Sequence, residues 1–300
     1  MRKALFLIIG IFLFAFDIKP VPEMKVNTQK AKLGKRLFCD TRLSKNKDVS
    51  CASCHSLKRY GVDNLQYSIG SGGVIDKPMN TPSVYNTYFN VAWFWNGRAG
   101  SLQQQAIDAF TDKKEHNMNV SDIEKVVLSD SGYVRDFKKI YGKAPDINLI
   151  ADAIAEFEKS LVTLNCRFDR YLKGDEHAIT PKEKRGYMKF KQYGCITCHN
   201  GVNVGGNSYQ KMGIFMQYVD IQRGRDRYLV THFPADKYTY KVPGLRNVAK
   251  TYPYFHDGSV KTLDKAIELM GELNLGIEIP DKDLDDMEAF LKTLTGKVKK

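Results

Sequence analysis

The segments CASCH (51–55) and CITCH (195–199) constrain this chain more than anything else in it. Each places two thiols two residues apart, so that both project from one tight turn, and follows them at once with an imidazole. C-x-x-C-H is the attachment signature of c-type haem. The thiols add to the two vinyl groups on one edge of the ring, and the next residue turns under the iron as an axial ligand. A disulfide scaffold is one alternative. Zinc held by two CxxC pairs is another, but zinc ribbons space their pairs by about 15–20 residues, and neither alternative requires a histidine after the second cysteine in both copies. Two covalent haems are therefore expected, on Cys51, Cys54 and His55 and on Cys195, Cys198 and His199. The remaining cysteines, Cys39 and Cys166, lie beside Leu37, Phe38, Leu161 and Leu164. They read as buried free thiols, with pairing to each other as the alternative.

Three hundred residues allow two domains of ordinary size. The net charge of +12 owes little to residues 1–20, where Arg2, Lys3 and Lys19 face Asp17. A basic body suits an acidic protein partner, an anionic membrane or nucleic acid. No nucleic-acid-binding motif is present, so nucleic acid is set aside. MRK followed by the apolar run Ala4–Phe16 has the form of a secretory leader and is short for a membrane span of about twenty residues. The chain is expected to be exported to the periplasm, with residues 1–21 a cleaved signal or a retained anchor plus linker; only a retained segment would meet the membrane. Residues 17–30, with two prolines and several lysines, read as a linker.

The two motifs imply two halves. Gly34-Lys-Arg-Leu-Phe38 precedes the first and Gly186-Tyr-Met-Lys-Phe190 the second, as in a diverged repeat. Helical periodicity is clear over 147–164, where Ile147, Ile150, Ile154, Phe157 and Leu161 share a face, and over 281–294 and 262–270. Thr262 reads as an N-cap. Strand signals are few and short. The expected fold is all-α, two cytochrome c-type domains spanning 22–165 and 166–300. A haem iron with one histidine has a second axial position, and its occupant decides the function. A methionine there gives a high-potential electron-transfer centre; Met212, Met216 and Met270 are candidates.

At this point the chain resembles a known family, the bacterial di-haem cytochrome c peroxidases and the related MauG-type enzymes. The resemblance runs from about Leu33 to Gly296. It is carried by LGKRLFCDTRLS (33–44), VSCASCH (49–55), NTPSVYN (80–86), FWNGRAGSLQQQA (94–106), FDRYLKGD (168–175), CITCHNG (195–201), KVPGLRNVAKTYPYFHDG (241–258) and AFLKTLTG (289–296). It implies a low-potential peroxidatic haem on the first motif and a high-potential haem on the second, with Met270 as the sixth ligand of the latter. Trp95 matches the tryptophan between the haems, Gln105 the distal glutamine and Glu115 the catalytic glutamate. Asn80, Thr251 and Pro253 match an interdomain calcium site. Arg246 and His256 match residues near the haem edges.

The resemblance implies reduction of hydrogen peroxide with electrons from a small cytochrome c or cupredoxin, in a homodimer. MauG-like oxidation of a partner protein and plain di-haem electron carriage are the alternatives. The family's high-potential haem in MauG uses tyrosine where this chain offers Met270. Departures cluster around the first motif. The family's distal histidine, in an IGHG-like context, is replaced by Ser71 in SIGSGG (68–73). A serine hydroxyl is a poor iron ligand, so the peroxidatic haem is expected to be open at rest, with His116 the rival ligand. Asn96 and Met79 stand where the family often has Asp and Arg.

Overall fold

The computed structural model describes residues 17–75, 79–218 and 225–298. The leader-like run 4–16 lies outside them. Among the described residues, no helix is long and apolar enough to cross a membrane.

The chain is mostly helical. The first half holds α1 (Thr28–Phe38), α2 (Cys51–Cys54), α3 (Leu102–Thr111), α4 (Val120–Leu128), α5 (Ser131–Tyr141) and α6 (Ile147–Ser160). The second holds α7 (Arg167–Leu172), α8 (Pro181–Gln192), α9 (Tyr228–Thr231), α10 (Leu263–Met270) and α11 (Asp281–Lys292). Two short strands, β1 (Tyr209–Lys211) and β2 (Thr239–Lys241), pair antiparallel with Gln210 opposite Tyr240.

The same crossing organises both halves. α1 packs on α6, and α8 on α11. At each crossing a glycine removes the side chain that would separate the helices. A Cβ on Gly34 would run into the Ala153 carbonyl and lie 2.9 Å from Phe157 Cβ; one on Gly186 would run into the Asp286 carbonyl and lie 2.9 Å from Phe290 Cβ. The caps differ. Asn27 accepts from the amides of Gln29 and Lys30 at 3.1 Å, whereas Thr180 and Glu183 form a reciprocal capping box with Pro181 in the first turn.

The apolar residues gather into two clusters. One includes Leu37, Phe38, Phe110, Tyr133, Phe137, Ile150 and Ile154. The other includes Phe168, Tyr187, Phe190, Ile267, Met287 and Phe290. The chain ends cross between them: Ile18 packs into the second cluster and Val298 against the first.

Several expectations change. The stretch 17–30 is no plain linker. Ile18 and Val21 are buried, Ile18 pairs with Gly201, and α1 starts at Thr28. The helix expected over 147–164 stops at Ser160, because Leu161 leaves helical geometry. The helix 281–294 stops at Lys292. Cys39, expected to be buried, is exposed; Cys166 is buried, and both thiols are free.

Candidate functional site

A cavity of about 370 Å³ opens beside the first motif, lined by Cys51, Cys54 and His55. The turn that carries the thiols is built locally. Ser50 caps α2, its amide donating to Ser53 Oγ at 3.0 Å, and the His55 amide closes onto the Cys51 carbonyl at 2.8 Å. His55 Nδ1 lies 3.2 Å from the Gly61 carbonyl. An imidazole held through Nδ1 offers Nε2 to a metal.

Charged and polar groups line the first cavity too. Gln105 reaches it from α3; Lys114, Glu115 and His116 come from the following loop, with Arg98, Asp112 and Glu158 completing it. Arg98 stacks 3.3 Å over the Phe94 ring and lies 3.6 Å from Asp112. Burial pulls the Arg98 pKa down, opposed by Glu115, Asp112 and Asp108. Met79 and Asn96 line this cavity too, and the Asn96 carboxamide accepts from the Arg98 amide at 3.2 Å.

The segment 68–73 is fastened rather than loose. Ser71 is buried, and its hydroxyl donates to Asp48 Oδ1 at 2.8 Å while accepting from the Asn46 amide at 3.0 Å. Its own amide donates to the Glu115 carbonyl at 2.8 Å, and a Cβ on Gly70 would collide with the Lys114 carbonyl. SIGSGG is thus a strap across the base of the Glu115 loop. His116 is buried, not exposed as a polar run suggests. Its Nδ1 is 2.6 Å from the Leu43 carbonyl, its Nε2 is 3.7 Å from Cys51 Sγ, and its ring meets Phe110 edge-on.

A second cavity, of about 490 Å³, is lined by Cys195, Cys198 and His199. Its other walls are largely aliphatic: Leu245, Val248, Leu263 and Ile267, with Met270 and Met212. Met216 is outside it and exposed. Desolvation in this cavity pushes the His199 pKa down to about 4. Its Nδ1 lies near the Val204 and Pro243 carbonyls without reaching hydrogen-bonding geometry. Gly205 permits this approach, since a Cβ there would strike the Pro243 carbonyl and sit 3.2 Å from His199 Nδ1. Arg246 lines the cavity but spends its guanidinium on protein: 2.9 Å to Asp169, 2.8 Å to the Lys19 carbonyl, and the Val202 carbonyl.

The cavities share a wall. Asn80 to Ser83, Thr87 and Trp93 to Trp95 line both. Trp95 Nε1 donates to the Asn80 carbonyl at 2.8 Å, and the Lys241 amide donates to the Trp95 carbonyl at 2.7 Å. His256 stacks on Tyr240 at 4.0 Å and meets Trp95 edge-on at 6.2 Å. Asn80, Thr251 and Pro253 all line the second cavity.

Three residues in these walls escaped the sequence reading. Glu158 is buried in the first cavity, with its pKa pushed up to about 8 by burial. Its signal was its spacing: four residues after Ile154, a carboxylate sits on the apolar face of α6. Lys241 is buried in the second cavity, its pKa pulled down to about 8 by burial. Trp93 stands in the shared wall with its buried Nε1 lacking an acceptor. Neither of these two had a sequence signal apart from the motifs around them.

The residues present fit a haem in each cavity. Each has two thiols and an imidazole at one side, and burial keeps His199 in the neutral form that binds metal. The second also contains donors that no protein group answers.

Comparison with known proteins agrees. The family described as "Di-haem cytochrome c peroxidase" matches residues 28–177. The chain is 44% identical over 295 residues to cytochrome c551 peroxidase of Nitrosomonas europaea, covering 98% of this chain and 88% of that one. It is 42% identical over 286 residues to cytochrome c peroxidase Ccp of Escherichia coli, covering 93% of this chain and 61% of that one. Among solved structures, a MauG-like protein associated with microbial copper homeostasis superposes with a TM-score of 0.81 at 27% identity, covering 94% of each chain. With two attachment turns set on a repeated helix crossing and cavities that meet at one wall, the chain belongs to the di-haem cytochrome c peroxidase family.

Proposed function

We propose that this protein is a periplasmic peroxidase that reduces hydrogen peroxide to two waters, using two electrons and two protons. The observation that carries this reading is the pairing of an acid–base cavity with a largely apolar, methionine-lined one across a shared wall that carries Trp93, Phe94 and Trp95. It is supported by the relatives named as peroxidases.

A haem bound through Cys51 and Cys54, with His55 as its axial ligand, would supply the iron that accepts peroxide. A haem on Cys195 and Cys198, ligated by His199 and Met270, would supply the electron store. Glu115 moves a proton from one peroxide oxygen to the other, so that the leaving oxygen departs as water; positioned acid–base help of this kind is worth about 10²–10⁴-fold. Gln105 orients the peroxide by hydrogen bonding. Trp95 carries electrons through the shared wall, and His256 packs against it. Arg246, through its ion pair with Asp169, fixes the backbone beneath the second cavity.

The first cavity is open to peroxide in the oxidised protein. Ser71 is committed to Asp48 and Asn46, and His116 contacts the Leu43 carbonyl. The halves act as domains, 22–165 and 166–300, with residues 1–21 an export signal or anchor plus a linker whose last residues, Ile18 and Val21, pack into the folded body. A small acidic cytochrome c or cupredoxin delivers electrons to the second half, and the protein works as a homodimer. Calcium between the halves would use oxygens of Asn80, Thr251 and Pro253. Among the described residues no cluster of three or more His, Cys, Asp or Glu side chains suits a metal, and this set of amide and carbonyl oxygens needs none.

The test is low-temperature EPR of the fully oxidised protein before and after peroxide, paired with peroxide turnover using a reduced small cytochrome c. A high-spin signal that peroxide abolishes, with turnover, is expected. Two low-spin signals indifferent to peroxide, without turnover, would overturn both the open cavity and the peroxidase reading.

A further inference from the structure

Among the described residues, Lys241 and Trp93 bring to the second cavity donors that no protein group answers. Lys241, the last residue of β2, is 7% exposed. Its amide is fixed to the Trp95 carbonyl at 2.7 Å, while its ammonium has no hydrogen bond or ion pair among the described residues. Trp93 sits in the shared wall, its backbone held to Ala99 at 2.9 Å and its buried Nε1 without an acceptor. A buried cation without a counter-charge is destabilising, and so is a buried indole donor without an acceptor. One anionic acceptor would satisfy both.

We propose that Lys241 and Trp93 together bind a carboxylate of the haem anchored at Cys195 and Cys198, and that this contact raises the potential of that centre. This rests on the reading that the second cavity holds a haem. The chemistry of the group fixes the direction. Its vinyl carbons and its propionates leave from opposite edges of the ring. Cys195 and Cys198, which take the vinyl edge, are part-exposed. A haem attached there would carry its propionates on the edge away from these thiols, in the cavity that Lys241 and Trp93 line. Trp93 lines the first cavity as well, whereas Lys241 lines only the second, so the charge compensation acts on one centre. A cation beside the carboxylate cancels a negative charge that would otherwise favour the ferric state; buried charge and hydrogen bonding around a haem are established levers on its potential.

The experiment uses the full-length holoprotein with Lys241→Gln, Lys241→Arg and Trp93→Phe. Haem content is measured first: fewer than two haems in the unsubstituted chain would sink the reading of the cavities, not this contact. Spectroelectrochemistry then follows each centre, and resonance Raman follows the propionate bending band. Lys241→Gln should lower the midpoint of the second centre, leave the first unchanged and shift the Raman band. Lys241→Arg should restore both, and Trp93→Phe should shift the band with a smaller fall in midpoint. An unchanged midpoint and band in Lys241→Gln would overturn the proposal, as would a midpoint that moves on adding acetate, which would assign the donors to an external carboxylate. If Lys241→Gln fails to load haem, Trp93→Phe decides alone, and an unchanged band there overturns it.

Discussion

The two halves of this protein build two differently lined cavities on one scaffold. Each crosses a leading helix over a closing helix at a glycine, and each follows the leading helix with the same thiol–thiol–imidazole turn. The divergence lies in what the intervening chain sends into the cavity. In the first half α3 and the loop after it deliver Gln105, Asp112 and Glu115. In the second α10 delivers Leu263, Ile267 and Met270. Arg246, which also lines the second cavity, is committed to Asp169. A scaffold that holds a cofactor thus leaves its reactivity to a few side chains on the variable segment.

The largest effect should come from the side chain that most separates the halves. Glu115→Gln is expected to cut peroxide turnover by about 10²–10⁴-fold with both centres still reducible; near-normal turnover would erase the functional distinction. Asp169→Asn leaves Arg246 buried without its partner, both side chains being no more than 1% exposed. That should cost about 3–5 kcal/mol, read as a fall in denaturation midpoint. Gly34→Ala and Gly186→Ala test the shared scaffold. Each should destabilise by about 1–3 kcal/mol, and a large inequality would show that one half relies on its crossing more than the other.

Glu158 gives a pH test confined to the first half. Burial raises its pKa from an ordinary 4.5 to about 8. Between those values the folded chain keeps a proton that the unfolded chain has released, so stability falls as pH rises through that window. Glu158→Gln should therefore reduce the loss of thermal stability between pH 5 and pH 8. The smallest effect expected is that of Ser71→Ala, which removes the hydrogen bond to Asp48 and should cost about 1 kcal/mol with peroxide turnover nearly unchanged. A large loss of turnover would instead show that the strap sets the position of Glu115.

The two attachment turns were legible from sequence because covalent chemistry dictates local spacing: both thiols and the imidazole must come from one turn. The helices at 147, 263 and 281 were legible because burial on one face imposes a 3.6-residue period. Their ends were not, since Leu161 leaves the helix where the chain turns to pair with Asn86, whose amide donates to its carbonyl at 2.8 Å. Ile18 carried no signal of its own; only the groove beside Gly201 makes it core. Resemblance assigned Ser71 the distal position, yet Ile69 and Gly70 line the first cavity in its place, and that the Ser71 hydroxyl is held by Asp48 depends on two loops meeting. The same is true of Lys241 and Trp93, which follow no period and gain meaning only from the cavity around them. Sequence determined what had to be close along the chain. Tertiary structure decided which distant groups were shut away from water together, and burial is what turned an ordinary lysine, glutamate and tryptophan into parts of a site.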